Sequence, residues 1–194
     1  MAPAVSRADV GAITPLVVAA LAALAFLPCL ANGFVNWDDG RMLVDNPHFR
    51  GLGPAALRWM FTTAYFCNYQ PAAWLTYAVD HALWGLDPFG YHLTAVLLHA
   101  SCSAAFYAVC LEILAPRRPG RADRAAAAAA ALLFALHPLR VEAVAWASDR
   151  RDLVCSLFFL LSVLADYQSD TLAAQDRGQA FTVLYSTPAG AVVE

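Results

Sequence analysis

Charge is scarce in this chain. Asp, Glu, Lys and Arg make up 14% of its residues, where a soluble domain carries about a quarter. That scarcity excludes a solvated surface on all sides. The apolar 60% falls in blocks, so the chain reads as an integral membrane protein in contact with a lipid bilayer. A net charge of -3 supplies no basic face, and no nucleic-acid partner is expected. The five cysteines include no CxxC pair. Cys29, Cys102, Cys110 and Cys155 lie in apolar runs and Cys67 in a polar loop, so small, polarizable filler is their expected role. No HxxxH or HExxH spacing argues for zinc. No internal repeat occurs, of tetratricopeptide type or any other.

What is present is a set of apolar runs of spanning length. Gly11 to Leu30 carries no charge and crosses a core of about 30 Å at about 1.5 Å per residue. Phe26-Leu-Pro-Cys-Leu30 is a poor cleavage site, so a retained span is expected rather than a signal peptide. A second span is expected at 91–114. The loop after it, Pro116-Arg-Arg-Pro-Gly-Arg-Ala-Asp-Arg124, holds four arginines and reads as cytoplasmic by the positive-inside rule. Short third and fourth spans are expected near 125–138 and 152–167. The N-terminus, 1–10, is then cytoplasmic. Two segments, 31–90 and 137–152, face the opposite compartment together. Residues 168–194 diverge in character and carry no assignable motif.

The larger outer segment reads as helical. Pro54 to Phe61 and Trp74 to Trp84 are its short amphipathic helices. Trp59, Trp74 and Trp84 suit a headgroup interface, with packing inside an outer subdomain as the alternative. The fold class is therefore an all-α membrane protein of about four transmembrane helices, with a helical extracytoplasmic loop between the first two.

Two carboxylates, Asp38 and Asp39, follow the first span directly. A carboxylate near the headgroups is partly desolvated, which lifts its pKa toward the working range of a general base. A solvated turn is the alternative, since Asp-Gly is a common turn pair. The other outer segment, His137 to Asp152, packs seven ionisable side chains between two spans. Arg140, Arg150 and Arg151 are candidates for clamping a lipid-linked phosphate, because guanidinium forks match phosphate oxygens. Glu142, Asp149 and Asp152 would orient them, or the charges would pair among themselves. His137 and Gln70 are further supporting candidates. His92 and His99 are seven apart and share a helix face, so His92 too is a candidate for support, against the plainer expectation of packing with a hydrogen bond.

Three blocks of this sequence resemble a known family. FVNWDDGRMLVDNPHFRG, NYQPAAWLTYAVDHALWGLDPFGYHLTAVLLHA and LFALHPLRVEAVAWASDRRDLVCSLFFLLSVLADY are similar, in the same order, to the transmembrane and tetratricopeptide-repeat O-mannosyltransferases and their bacterial relatives. The resemblance covers roughly Phe26 to Tyr167 and implies the N-terminal part of a GT-C-like fold. It implies transfer of a mannose-like monosaccharide from a polyprenyl-phosphate donor to an acceptor hydroxyl of a protein or glycan. The expected setting is the extracytoplasmic face of a bacterial inner membrane, with inversion at the anomeric centre. Asp38 and Asp39 match the family's acidic pair, one of them the base. A divalent cation is possible in such sites, though no complete ligand set is visible. The resemblance is lost after Tyr167, so an incomplete fragment of such an enzyme is expected. The alternative is a non-catalytic membrane scaffold or partner-binding protein that keeps the fold.

Overall fold

The computed structural model describes residues 7–115 and 119–186, with side chains described for 14–115 and 119–169. Residues 1–6, 116–118 and 187–194 lie outside it, and with them most of the N-terminal segment expected to be cytoplasmic, part of the arginine loop and the end of the divergent tail. The described residues are helical, and no strand is formed among them. Three stretches are long and apolar enough to cross a bilayer: Thr14–Ala31, Pro88–Leu114 and Ala147–Ser169, with mean hydropathies of 2.2, 1.7 and 1.3. The protein is an all-α membrane protein. Leu16, Leu24, Leu97, Phe158 and Phe159 point outward from these stretches and are exposed on the isolated chain, as lipid-facing side chains are.

Helix α1 (Arg7–Phe26) tightens into a 3-10 turn over Leu27–Ala31. Pro28 sits in that turn, and its missing N–H stops the regular helix there. The outer segment then builds α2 (Pro54–Thr62) and α3 (Pro71–Trp84). Both start on a proline, whose fixed φ suits the first helical turn. Gly85 ends α3 at φ +61 with its N–H on the His81 carbonyl, the backbone region that favours glycine. Helix α4 (Pro88–Leu114) is the central column. Gly90 near its start is obligatory for packing, because a Cβ there would overlap the Trp84 ring.

Around α4 pack α1, α5 (Arg121–Ala135) and α7 (Arg150–Ser186). Helix α5 meets its neighbours through Ala127, Ala131 and Ala135, all fully buried. Their i, i+4, i+8 spacing makes one small-residue stripe, which lets helices approach closely in lipid. The short third span expected near 125–138 corresponds to this helix. It has 15 residues, rises about 22 Å, and falls short of the roughly 30 Å core. It stops level with His99, whose Nε2 lies 2.9 Å from the Ala135 carbonyl oxygen. Helix α6 (Arg140–Ala145) and a 3-10 turn over Ala147–Asp149 carry the chain the rest of the way to α7.

The outer segment has its own core of Met42, Leu43, Phe49, Met60, Trp74 and Tyr77, closed by Tyr91 of α4. Trp74 is fully buried, and Trp59 stacks edge-on against it at 5.1 Å between centroids. Trp74 is a core residue, so the interfacial reading is corrected for it, while Trp59 is partly buried against the same core. Trp84 stays exposed. The five cysteines are free.

Candidate active site

The acidic pair splits into two different environments. Asp39 is fully buried. Its Oδ2 accepts the Val35 N–H at 2.9 Å and its Oδ1 accepts the Ser148 N–H at 2.9 Å. Those partners are 113 positions apart in sequence, so this carboxylate staples the exit of the first span to the turn before α7. Adjacent residues at the start of a helical turn point in different directions. Asp38 accordingly faces away from the staple. It is half-buried and lines a cavity of about 240 Å³ with Phe66, Asn68, Trp146 and the Glu142–Asp149–Arg151 group.

That group is shared with a second, larger cavity of about 490 Å³. Arg140, Asp152, Leu139, Leu153 and Cys155 complete its wall. Arg151 therefore stands where the two cavities meet. Its guanidinium lies 3.6 Å from Asp149 and 3.4 Å from Asp152, with 40% of its side chain exposed. Ion pairs this open contribute about 0–1 kcal/mol, so Arg151 can exchange them for a phosphate. Arg140 holds its guanidinium 4.6 Å over the Phe134 ring, facing the larger cavity only.

Arg150 is placed otherwise than expected. It is fully buried, pairs with Asp80 of α3 at 2.5 Å, and donates to the Tyr91 carbonyl at 2.7 Å and the Thr76 hydroxyl at 3.2 Å. Its guanidinium also lies 4.4 Å over the Tyr77 ring. No face is left for a ligand, so a phosphate contact by Arg150 is corrected to a structural tie between α3, α4 and α7. Burial pushes the Asp80 carboxyl above its ordinary pKa, more than the Arg150 charge and the Thr94 hydroxyl pull it down. A buried pair in which desolvation outweighs attraction fixes geometry more than it adds stability.

The supporting candidates divide as well. Glu142, Asp149 and Asp152 line the cavities. His137 does not: its Nδ1 accepts the Leu139 N–H at 3.2 Å and caps the turn ahead of α6. His92 is buried inside α4, away from either cavity wall. Gln70 is buried at the start of α3 and likewise lines neither. Among the described residues no three His, Cys, Asp or Glu side chains converge on a point that could hold a metal ion.

Sequence reasoning missed Asp80, Phe66, Asn68 and Trp146. Asp80 had a signal: a lone acid in an apolar helix, four residues after Thr76 and on the same face. Phe66 had none. It and Cys67 occupy positive φ, +52 and +61. The Tyr65 and Asn68 backbones pair across them at 3.0 and 2.9 Å. This is the pattern of a type I′ turn, which asparagine and glycine usually fill.

Cavities and charges lie at one end of α4, beside Tyr91. Arg121 and Arg124 lie past its other end, about 40 Å away along 27 residues. The candidate acids and guanidinium groups thus share one end of the bundle, and Arg121 and Arg124 lie toward the other.

Comparison with known proteins finds relatives of this chain. The chain is 33% identical over 164 residues to the human protein O-mannosyl-transferase TMTC4, matching 77% of this chain and 22% of that protein. It is 40% identical over 97 residues to mouse TMTC2, matching 50% of this chain and 11% of the relative. It is 33% identical over 154 residues to Tmtc1 of Drosophila melanogaster, matching 75% of this chain and 17% of the relative. The chain thus spans about a quarter or less of the length of these curated relatives. No family model and no solved structure matches it.

Proposed function

This chain belongs to the family of the protein O-mannosyl-transferases TMTC1 to TMTC4, and on that premise we propose that it forms the catalytic face of a membrane glycosyltransferase. The reaction moves a mannose-like sugar from a polyprenyl-phosphate donor to an acceptor hydroxyl. The observation that carries the reading is the pair of adjacent cavities, with an unstapled carboxylate lining one and a partly exposed guanidinium lining both.

Each residue then has a task. The Asp38 carboxylate accepts no side-chain hydrogen bond among the described residues and is the general base. It takes the proton of the acceptor O–H while that oxygen attacks the anomeric carbon. The bond from that carbon to the phosphate oxygen breaks, and polyprenyl phosphate leaves with the electron pair. Attack from the side opposite the leaving group inverts the centre. Arg151 receives the charge that grows on the phosphate, with Arg140 beside it in the larger cavity. Positioned cations at the site of developing charge are a large source of rate enhancement. The apolar wall of Leu139, Leu153 and Cys155 gives the donor's lipid a route in from the bilayer. Asp39 and Arg150 are positioning residues: one ties the two outer segments together, the other ties α3 and α4 to α7. Separation of the cavities from Arg121 and Arg124 supports an extracytoplasmic site with a cytoplasmic arginine loop.

The test is reconstitution. The chain in proteoliposomes, given polyprenyl-phosphate mannose and a serine- and threonine-rich acceptor peptide, is expected to transfer mannose with inversion. Donor binding without any transfer would instead assign this chain the role of a non-catalytic scaffold.

A further inference from the structure

The smaller cavity has a wall that base catalysis and phosphate binding leave unexplained. Phe66 lines it from the positive-φ turn, and Trp146 lines it from the residue before the 3-10 turn. Positive φ is unusual for a bulky residue and costs free energy that surrounding contacts must hold in place. The contacts are present. The Tyr65 hydroxyl donates to the Arg41 carbonyl at 3.2 Å, and the Arg41 guanidinium lies 5.6 Å from the Phe66 ring centroid. Asn68 closes the turn by donating its Nδ2 to the Phe66 carbonyl at 3.1 Å. The turn is thereby tied to the helical turn Gly40–Val44, which directly follows the acidic pair. A strained turn anchored next to Asp38 holds Phe66 at the cavity, where the residue remains 42% exposed.

We propose that this smaller cavity is a subsite for a single sugar ring, with Phe66 and Trp146 as its stacking walls and Asn68 and Glu142 as partners for the sugar hydroxyls. The inference rests on the donor reading above and specifies which part of the donor occupies which cavity. A pyranose has one face rich in C–H bonds, which packs on an aromatic ring, and a rim of hydroxyls that needs polar partners. The cavity offers both. Its roughly 240 Å³ is below the about 300–1,000 Å³ of drug-sized pockets, a size that suits one ring. The sugar there lies between Asp38 and Arg151, the order that attack and departure require. The lipid phosphate extends into the larger cavity.

The experiment compares two probes on the whole chain in nanodiscs: a short-chain polyprenyl phosphate carrying mannose, and the same polyprenyl phosphate without sugar. Binding is read by calorimetry. The parent is expected to bind the mannosylated probe about tenfold more tightly. Phe66→Ala and Trp146→Ala are expected to reduce that preference to within twofold, with the sugar-free probe unaffected. Phe66→Leu keeps bulk, removes the aromatic face, and is expected to lose the preference too, which covers a folding defect in the alanine variant. Cys67→Gly suits the turn and retains the preference. An unchanged preference in Phe66→Ala and Phe66→Leu would overturn the subsite and leave the donor reading standing. Failure of the parent to bind either probe would overturn the donor reading and the subsite with it.

Discussion

Replacing Asp39 with asparagine separates scaffolding from catalysis in a pair of neighbouring acids. In the native chain both oxygens of Asp39 are used, each at 2.9 Å from a backbone N–H. Asparagine keeps one acceptor and turns an NH2 toward the other N–H, so one hydrogen bond becomes a donor facing a donor. A hydrogen bond to a charged group contributes about 1.5–3 kcal/mol, and orphaning a buried donor costs about 1–3 kcal/mol more. The amide will keep its oxygen on Ser148, which is buried, and face Val35, which is exposed and can turn to water. That choice holds the loss to the first contribution, about 2 kcal/mol. For a chain of this size it corresponds to a fall in Tm of about 4–8 °C. Thermal unfolding in detergent, with hydrogen exchange at Ser148 as a local readout, measures it. Asp38→Asn, whose carboxylate has no such partners, is expected to stay within about 0.5 kcal/mol of the parent. Equal thermal stability of Asp39→Asn, Asp39→Ala and the parent would refute the staple.

Arg150→Met alone should cost about 3–5 kcal/mol by leaving Asp80 buried and unpaired, and adding Asp80→Leu should recover most of it, as unfolding of the three variants will report. Arg151→Ala should leave stability within about 0.5 kcal/mol, because its side chain is 40% exposed and its ion pairs are long, 3.6 and 3.4 Å, yet weaken donor binding by about tenfold or more. Arg151→Lys should restore only part of that affinity, since an ammonium cannot grip a phosphate through two parallel bonds. Ala131→Leu should destabilise by about 1–3 kcal/mol, because the residue is fully buried in the α5 stripe and has no room to grow.

Much of the architecture is written in local patterns. Long apolar runs mark the spanning stretches Thr14–Ala31, Pro88–Leu114 and Ala147–Ser169, because the bilayer demands them. Prolines 54, 71 and 88 mark where three helices start. The stopping point of α5 is not written locally: polyalanine gives helix propensity without saying how far a span must reach, and the answer comes from packing against His99. The fates of Trp59 and Trp74 depend likewise on tertiary contacts, since an amphipathic ring suits a headgroup layer and an aromatic core equally.

The site is legible at coarser grain. Composition identifies which two segments carry charge, and the positive-inside rule sets them on one side. Sorting Asp38 from Asp39, or Arg151 from Arg150, needs three-dimensional structure, because neighbouring residues on a turn point to different surroundings. The Phe66–Cys67 turn lacks glycine and asparagine at its centre, so nothing in its sequence announces it. Its conformation is imposed by the contacts of Tyr65 and Arg41.

The central claim is that Asp38 is the base. Its most direct test is Asp38→Asn assayed for mannose transfer from polyprenyl-phosphate mannose in proteoliposomes, alongside donor binding and thermal stability. The expected result is transfer lowered by at least about 10²-fold, with donor binding and Tm at parental values. Parental transfer by Asp38→Asn would contradict the account.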